Sequence, residues 1–382
     1  MSSRKSARRG VFSSASSLIA ILVGLVAGFL ILLLANPSNA FDGLLVILRG
    51  GFNNGMKGVG QVLYFATPLI VTGLSVGFAF KTGLFNIGAS GQLMMGGFVS
   101  VVIGVNCPFL GVFHWPVALL CGMVAGALWA FIPGFFKAKL NVNEVISCIM
   151  LNYIGLYGIN YMIKNLRSPA GGMLVYDSLK NQTMNVKPSA VIPKFGLDHL
   201  FLNQNGDYLD VSSVNGGFLI AVVLALVVYV ILQRTTFGYE LKACGFNKEA
   251  SRYAGINESR SIIMSMVIAG ALAGTAGALM YLAPSTGLHI RVEEILAPEG
   301  FNGIPVALLG LSHPIGTIFS AIFVAYITVG GSYLQNLQYM REVIDIIIGI
   351  IIYFSAFGLF VKNLLARISW RRAGAQQMGG KA

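Results

Sequence analysis

Charge is scarce in this sequence. Only 10% of its 382 residues are charged, whereas an ordinary soluble domain has about 25%. A chain with so few charged side chains cannot cover a globular surface with polar groups, which excludes a soluble protein. Hydrophobic residues make up 55% of the chain, and its mean hydropathy is +0.75. The composition therefore predicts an all-α polytopic membrane protein surrounded by the lipid bilayer.

Residues that carry chemistry are also few. The four cysteines and four histidines are widely scattered and form no CxxC pair, so neither a disulfide framework nor a metal site is expected. The sequence contains no GxxxxGK[ST] phosphate loop, no HExxH motif and no Ser-His-Asp grouping. We therefore expect no catalytic residue, no metal and no cofactor, and any ATP that drives the protein is hydrolysed by another subunit.

Ten apolar runs are predicted to be membrane segments, measured against the roughly 20 residues that a helix needs to cross the hydrocarbon core. They are 18–35, 59–80, 84–105, 115–136, 145–163, 217–232, 262–283, 301–311, 315–329 and 343–361. The eighth is short and is either re-entrant or joined to neighbouring turns. Three GxxxG spacings, Gly73/Gly77, Gly122/Gly126 and Gly270/Gly274, predict places where helices approach closely.

The basic residues predict the orientation of the chain. If the N-terminus is cytoplasmic, seventeen of the 26 Lys and Arg residues lie inside, and five of the other nine fall in one long loop, where charge has little influence on topology. Both termini are therefore expected in the cytoplasm. The net charge of +12 reflects this bias and does not indicate nucleic-acid binding.

This topology divides the chain into a membrane domain at 18–361 and two basic cytoplasmic ends, 1–17 and 362–382. The first apolar run is expected to be a retained helix, because it is too long for the core of a signal peptide. The loop at 164–216 is extracellular and is either a small ordered cap or a solvated loop. The connector at 233–261 faces the cytoplasm.

That connector contains the longest polar interruption on the cytoplasmic side, residues 234–260. Its centre, 247–254, is predicted to be a short helix. Asn247 can cap the start of this helix, and Gly255 can end it in the left-handed conformation that glycine adopts easily. Such a helix, held parallel to the membrane, is suited to docking on a partner.

The centres of the predicted spans contain no acidic residue, His or Arg, which argues against a carrier driven by protons or ions. Uncharged polar residues occur there instead: Asn86, Ser90, Gln92, Asn152 and Asn302. They either form hydrogen bonds between helices or line a path for a small, polar, uncharged solute. The Phe-Asn pairs at 85–86 and 301–302 are either the trace of an inverted repeat, a common transporter design, or coincidence.

Three motifs carry a resemblance to a known family. The run 234–256, RTTFGYELKACGFNKEASRYAGI, resembles the cytoplasmic coupling loop of bacterial ATP-binding cassette (ABC) importer permeases that serve ribose-type sugars, branched-chain amino acids and nucleosides. The stretches GLFNIGASGQL at 83–93 and FNGIPVALLG at 301–310 are similar to further signatures of that family. The resemblance covers about residues 60–361 and is strongest to the purine-nucleoside branch, which uses a binding lipoprotein.

The resemblance implies the fold of a type II ABC importer permease in the bacterial plasma membrane. The implied partners are ABC ATPase subunits, a second permease subunit of the same or a homologous kind, and an extracytoplasmic substrate-binding lipoprotein. The implied ATPase-coupling residues are Gly238, Lys242, Gly245, Asn247, Ala250, Arg252 and Gly255. The alternatives are the same machine carrying a simple sugar or a branched-chain amino acid, a secondary active carrier, and a scaffold that transports nothing.

Overall fold

The computed structural model describes residue 19 and residues 21–168, 172–205, 208–283 and 289–357. The expected cytoplasmic ends, 1–17 and 362–382, and the end of the tenth apolar run lie outside the described residues. The described residues form two compact units, one within Met1–Asn53 and Tyr326–Ala382 and the other within Asn54–Ala325.

The chain is mostly helical, with two small hairpins. The α-helices of the described residues are α1 (Ile21–Ala35), α2 (Ala40–Arg49), α3 (Gly55–Lys81), α4 (Ala89–Asn106), α5 (His114–Leu140), α6 (Glu144–Asn165), α7 (Leu197–Leu200), α8 (Gly217–Arg234), α9 (Thr236–Phe246), α10 (Lys248–Tyr253), α11 (Glu258–Tyr281), α12 (Pro298–Leu309), α13 (Pro314–Ser332) and α14 (Arg341–Ala356). The strands are β1 (Tyr176–Asp177), β2 (Gln182–Thr183), β3 (Leu202–Asn205) and β4 (Tyr208–Val211).

Each of the ten predicted spans coincides with one helix. Seven helical stretches of the described residues are long and apolar enough to cross a membrane, and α1 is a shorter apolar helix. The eighth predicted span is α12, whose 12 residues extend only about 18 Å, less than the hydrocarbon thickness of about 30 Å. Helices α2, α7, α9 and α10 lie between the predicted spans.

The third span begins later than predicted, at Ala89 rather than at residue 84. Gly83 has a φ of +73°, a conformation that is cheap only for glycine, and the backbone N–H of Leu84 donates to the carbonyl of Ala79. The chain therefore turns at the end of α3 and returns into the unit as non-helical backbone before α4 starts. Asn86 in this return segment donates to the Ser75 hydroxyl of α3 over 3.2 Å.

Helices α4, α5 and α11 meet through glycines. A β-carbon at Gly126 of α5 would overlap the carbonyl oxygen of Gly270 and would lie 2.6 Å from the Cα of Gly274, both on α11. One at Gly96 of α4 would overlap the backbone of Gly274 from the other side. The predicted role of two GxxxG pairs, Gly122/Gly126 and Gly270/Gly274, is therefore confirmed. Such contacts suit helices in lipid, where no hydrophobic effect drives pairing.

Helix α12 begins against the first turn of α4. The Ser90 hydroxyl donates to the carbonyl of Ala297 over 2.8 Å, and a β-carbon at Gly300 would overlap the Cα of Ser90. Further along α12, Gly303 packs on Thr72 of α3. The two Phe-Asn pairs of the proposed repeat occupy different positions, because Asn86 precedes its helix and Asn302 lies inside α12. The inverted repeat stays a prediction.

The described residues of the long loop at 164–216 form an ordered cap rather than a solvated loop. It contains the β1–β2 and β3–β4 hairpins, and Val175 and Ile192 in it are fully buried. The Ile192 N–H donates to the carbonyl of Leu282 at the end of α11. The Lys57 ammonium at the start of α3 lies 2.7 Å from the Asp210 carboxylate of β4. These contacts hold the loop on the ends of two helices.

The smaller unit is built from both ends of the described chain. Gly24 of α1 packs on the backbone of Ile351 of α14. Gly50, which follows α2 and has a φ of +50°, lies under the ring of Tyr326. The Tyr326 hydroxyl donates to the carbonyl of Leu48 over 2.7 Å. The short helix α2 is thereby fixed to the C-terminal part of the unit.

The glycine contact between α5 and α11 predicts the effect of a single added methyl group. Gly126→Ala should lower the free energy of unfolding by about 1–3 kcal/mol, because the methyl group has only backbone to displace. The matched control is Gly158→Ala in α6, where the added methyl would meet nothing within 4 Å, so it should be neutral or stabilise the helix by up to ~1 kcal/mol. Thermal unfolding of both variants in detergent measures the difference. Equal stabilities of the two variants would contradict the backbone contact between α5 and α11.

Candidate functional site

The connector at 233–261 contains two helices where the sequence predicted one. Helix α9 follows α8 at Thr235, whose backbone is extended and whose hydroxyl accepts from the N–H of Gly238 over 3.0 Å. A serine or threonine in this role is a strong N-cap, so Thr235 is a local signal for α9 that the prediction of a single helix overlooked. Leu241 and Cys244 on the inner face of α9 are buried. The inner face of α9 is therefore packed against the rest of the larger unit.

The second helix, α10, confirms the predicted short helix. Asn247 is extended and its side chain accepts from the N–H of Ala250 over 3.0 Å. After the helix, Gly255 has a φ of +82°, and the N–H of Ile256 returns to the carbonyl of Ser251 over 3.0 Å. Both ends of α10 are thus closed by the residues expected to cap it. A helix of six residues would not persist without such caps.

The seven predicted coupling residues divide into an exposed group and a packed group. Asn247, Ala250, Arg252 and Gly255 are exposed on or beside α10. Lys242 is half-buried on α9. The remaining two are packing glycines: Gly238 lies against the end of α8, and Gly245 lies against the turn after α3. Only the group around α10 is therefore free to contact another molecule.

Gly245 and Gly83 form the joint between the connector and the membrane helices. A β-carbon on Gly83 would lie 2.8 Å from the Cα of Gly245, and one on Gly245 would lie 2.8 Å from the nitrogen of Gly83. Two backbones in direct contact leave no side chain between them to deform. A displacement of α9 would therefore be passed directly to the end of α3 and to the return segment before α4.

The exposed surface of the connector has the composition of a protein-binding site. Phe246 is 90% exposed and Tyr253 is 93% exposed, at either end of α10, and Arg252 lies between them in the sequence. Aromatic residues and arginine are enriched at protein interfaces. Exposed aromatic side chains beside an arginine are therefore suited to contact with a partner.

Of the predicted path residues, Asn86 and Gln92 bind each other. The Asn86 amide donates to the Gln92 carbonyl oxygen over 2.8 Å, and the Gln92 amide donates to the Asn86 carbonyl oxygen over 2.9 Å. Both side chains are at most 1% exposed. Asn86 also reaches Ser75, which donates to the carbonyl of Ala269 on α11 over 2.6 Å. This network ties α3, α4 and α11 together.

Asn152 and Ser90 are likewise occupied. The Asn152 side chain of α6 accepts from the N–H of Gly91 over 2.9 Å and donates to the carbonyl of Ile87 over 3.1 Å, so it holds the start of α4. Ser90 bonds to Ala297 as described above. The structure therefore brings Asn86, Gln92, Ser90 and Asn152 together at one end of α4, with their hydrogen bonds made within the chain.

Two polar groups on α12 stand apart from this network. Asn302 is half-buried and makes no side-chain hydrogen bond to the described part of the chain. Glu299, three residues earlier and so on the same side of the helix, has one buried carboxylate oxygen, Oε2, without a partner among the described residues. Sequence reasoning missed Glu299 because it precedes the eighth apolar run. Among the residues that the structure describes, no His, Cys, Asp or Glu cluster could hold a metal ion.

Residues 58–356 match the family described as the permease component of the branched-chain amino acid transport system. The chain belongs to this family. It is therefore a multi-pass membrane permease subunit of an ABC transporter rather than an enzyme. A permease of this kind works with ATPase subunits, which hydrolyse ATP, and with a substrate-binding protein.

Three relatives match this permease over nearly its whole length. It is 37% identical to the guanosine ABC transporter permease protein NupP of Bacillus subtilis, over 93% of this chain and 97% of the relative. It is 33% identical to the nucleoside ABC transporter permease protein NupB of Lactococcus lactis, over 92% of each chain. It is 31% identical to the glucose ABC transporter permease protein TsgB13 of Haloferax volcanii, over 96% of this chain and 93% of the relative. No solved structure matches the permease.

The amide pair of Asn86 and Gln92 can be tested by a double-mutant cycle. Asn86→Leu and Gln92→Leu should each destabilise the permease, because each leaves the other amide buried and unsatisfied. The double variant should be more stable than the sum of the single effects predicts, with a coupling of about 0.6–1.7 kcal/mol, as found for hydrogen bonds between membrane helices. Thermal unfolding in detergent gives the four stabilities, and strict additivity would contradict a direct amide pair.

Proposed function

We propose that this permease imports nucleosides and that α10 is the helix on which its ATPase subunit docks. The observation that carries the proposal is the doubly capped, exposed α10, joined through α9 and Gly245 to the turn at Gly83. The names of the relatives NupP and NupB support a nucleoside as the solute. Lys242 and Arg252 add positive charge that suits acidic groups on the ATPase.

In this proposal both termini and the connector face the cytoplasm, and the cap at 164–216 faces outward. The distribution of Lys and Arg supports this orientation. An extracytoplasmic lipoprotein delivers the solute to the cap, whose hairpins provide an ordered surface for it. A second permease, identical or homologous, completes the path.

Coupling follows from the contacts of the connector. Closure of the ATPase pair would move α10, and α9 would carry this motion to α3 and α4 through the contact of Gly245 with Gly83. Because α4, α5 and α11 touch by their backbones, they would move together between two packed arrangements. ATP is hydrolysed outside this chain, so the permease contributes only the change in packing.

The solute would meet α12 rather than the filled amide network. Glu299 has a carboxyl oxygen without a partner among the described residues, and this oxygen can accept from the hydroxyls or ring N–H groups of a nucleoside. Asn302, on the same side of α12, can both donate and accept. Asn86, Ser90, Gln92 and Asn152 would shape the path indirectly. Asn86 and Gln92 tie the start of α4 to α3 and α11, and Asn152 and Ser90 hold it against α6 and α12.

A simple sugar is the second candidate solute. It is favoured by the likeness to the glucose permease TsgB13 over nearly the whole chain. Sugars and nucleosides both present hydroxyl groups, so Glu299 and Asn302 would suit either. Competition between labelled adenosine, ribose, glucose and leucine in cells that express the full importer separates these candidates.

Orientation and docking can be tested with one reporter cysteine. In a background without the native cysteines, Ala250→Cys should resist an impermeant thiol reagent in intact cells. It should react in inverted vesicles stripped of ATPase, and re-added ATPase should protect it. A reporter on α10 is needed because the native Cys244 of this connector is buried.

The matched control is Leu179→Cys, because Leu179 is 95% exposed in the cap that this proposal places outside. This variant should react in intact cells, and the ATPase should not protect it. Reaction of the Ala250 reporter in intact cells would overturn the orientation. Failure of the ATPase to protect it in inverted vesicles would overturn the docking site.

The role of Glu299 can be tested by uptake. Glu299→Leu should reduce nucleoside uptake, measured as kcat/KM per assembled importer, by about 10- to 100-fold, because a polar group of the solute would be left without its hydrogen-bond partner. The control is Glu294→Leu, which removes an exposed carboxylate five residues earlier and should leave uptake unchanged. Unaltered uptake by Glu299→Leu would remove this residue from the path.

A further inference from the structure

A cavity of about 270 Å³ opens between the end of α5 and the start of α11. It is lined by Lys139, Asn257, Ser259, Arg260, Ile263 and Met264. The Ser259 hydroxyl donates to the carbonyl of Ala138 over 3.3 Å, which fixes the two helices at this point. The volume is far larger than the ~10–15 Å³ that one water needs, so the cavity has room for a group of many atoms.

The charge around the cavity is positive and uncompensated. Lys139 and Arg260 are exposed, and neither has an acidic partner within 4 Å in the described part of the chain. The acids nearby in the structure are already paired. Glu144 lies 2.8 Å from Lys137, and Glu258 lies 3.7 Å from Lys248. The two free cations therefore attract an anion from outside the chain.

One wall of the cavity is apolar and adjoins surface that suits lipid. Ile263 and Met264 form its apolar wall. On the last turns of α5, Phe136 and Leu140 are exposed, and α5 is apolar and long enough to span a membrane. A soluble anion would gain nothing from this wall. A phospholipid could place its phosphate between the cations and its chains along the apolar surface.

We propose that this cavity binds the headgroup phosphate of an anionic phospholipid, with Lys139 and Arg260 as its ligands. The long stems of these two side chains can lie along the apolar wall while their charged ends meet the phosphate. Basic pockets between helices at a membrane surface are suited to such headgroups. The inference does not depend on the transported solute or on which side of the membrane the connector faces.

Native mass spectrometry of the full-length chain in mild detergent tests the proposal, with equal amounts of phosphatidylglycerol and phosphatidylcholine. The natural chain should retain phosphatidylglycerol preferentially. The variant Lys139→Gln with Arg260→Gln should bind it about 25-fold more weakly, since each cation near the surface contributes about fivefold. The charge-preserving exchange Lys139→Arg with Arg260→Lys should retain the preference. Met264→Trp, which fills the cavity, should weaken binding without any change in charge.

The control variant is Lys164→Gln with Arg167→Gln. It removes two exposed cations at the end of α6, away from the cavity, and should leave lipid retention unchanged. Equal retention of the two lipids by the natural chain, or an equal loss in the control variant, would overturn the proposal. Displacement of the lipid by excess inorganic phosphate would assign the cavity to a soluble phosphate instead. Unfolding temperatures of all variants separate lost binding from lost folding.

Discussion

The larger unit of this permease depends on backbone-to-backbone contact where α4, α5 and α11 meet. In lipid, apolar side chains gain nothing by leaving the solvent, so helices associate through close packing and hydrogen bonds. Gly96, Gly126, Gly270 and Gly274 bring the main chains together, and no side chain at these positions can yield. Buried amides then fix which parts of the helices lie side by side. The three helices are consequently expected to move as one body.

Because these three helices are rigidly packed, a force on the connector can be transmitted to them. A flexible loop between α8 and α11 would absorb any force applied to it. Instead, Thr235 and Asn247 cap α9 and α10, and Gly245 rests directly on Gly83. The joint lies beside the return segment that carries Asn86 into the helix packing. A small displacement of the connector would thus be transmitted to the start of α4 through backbone contacts, with no flexible side chain between them. A switch between two packings requires such rigid contacts.

The sequence predicted a helix in each of the ten apolar runs because a membrane-spanning helix needs a continuous apolar stretch, although α12, with 12 residues, is too short to cross. It also predicted α10, since Asn247 and Gly255 are local signals that need no tertiary partner. It missed α9, because the inner face of that helix is defined by burial against the larger unit. It also missed the non-helical return segment before α4, because apolar residues continue through that segment. The order of the cap at 164–216 was equally hidden, since it rests on pairings such as Lys57 with Asp210 that are distant in sequence.

The polar residues show most clearly what a pattern cannot decide. The sequence does not distinguish a buried asparagine that forms its hydrogen bonds within the chain from one that binds a solute. Asn86, Gln92 and Asn152 have their partners in the fold, and releasing them to a solute would leave other buried groups unpaired, at a cost of about 1–3 kcal/mol each. Among the described residues the Oε2 atom of Glu299 has no partner, so a solute could bind there without breaking an internal hydrogen bond. A solute that is released on the far side must be bound weakly, and groups already free of internal bonds meet that requirement best.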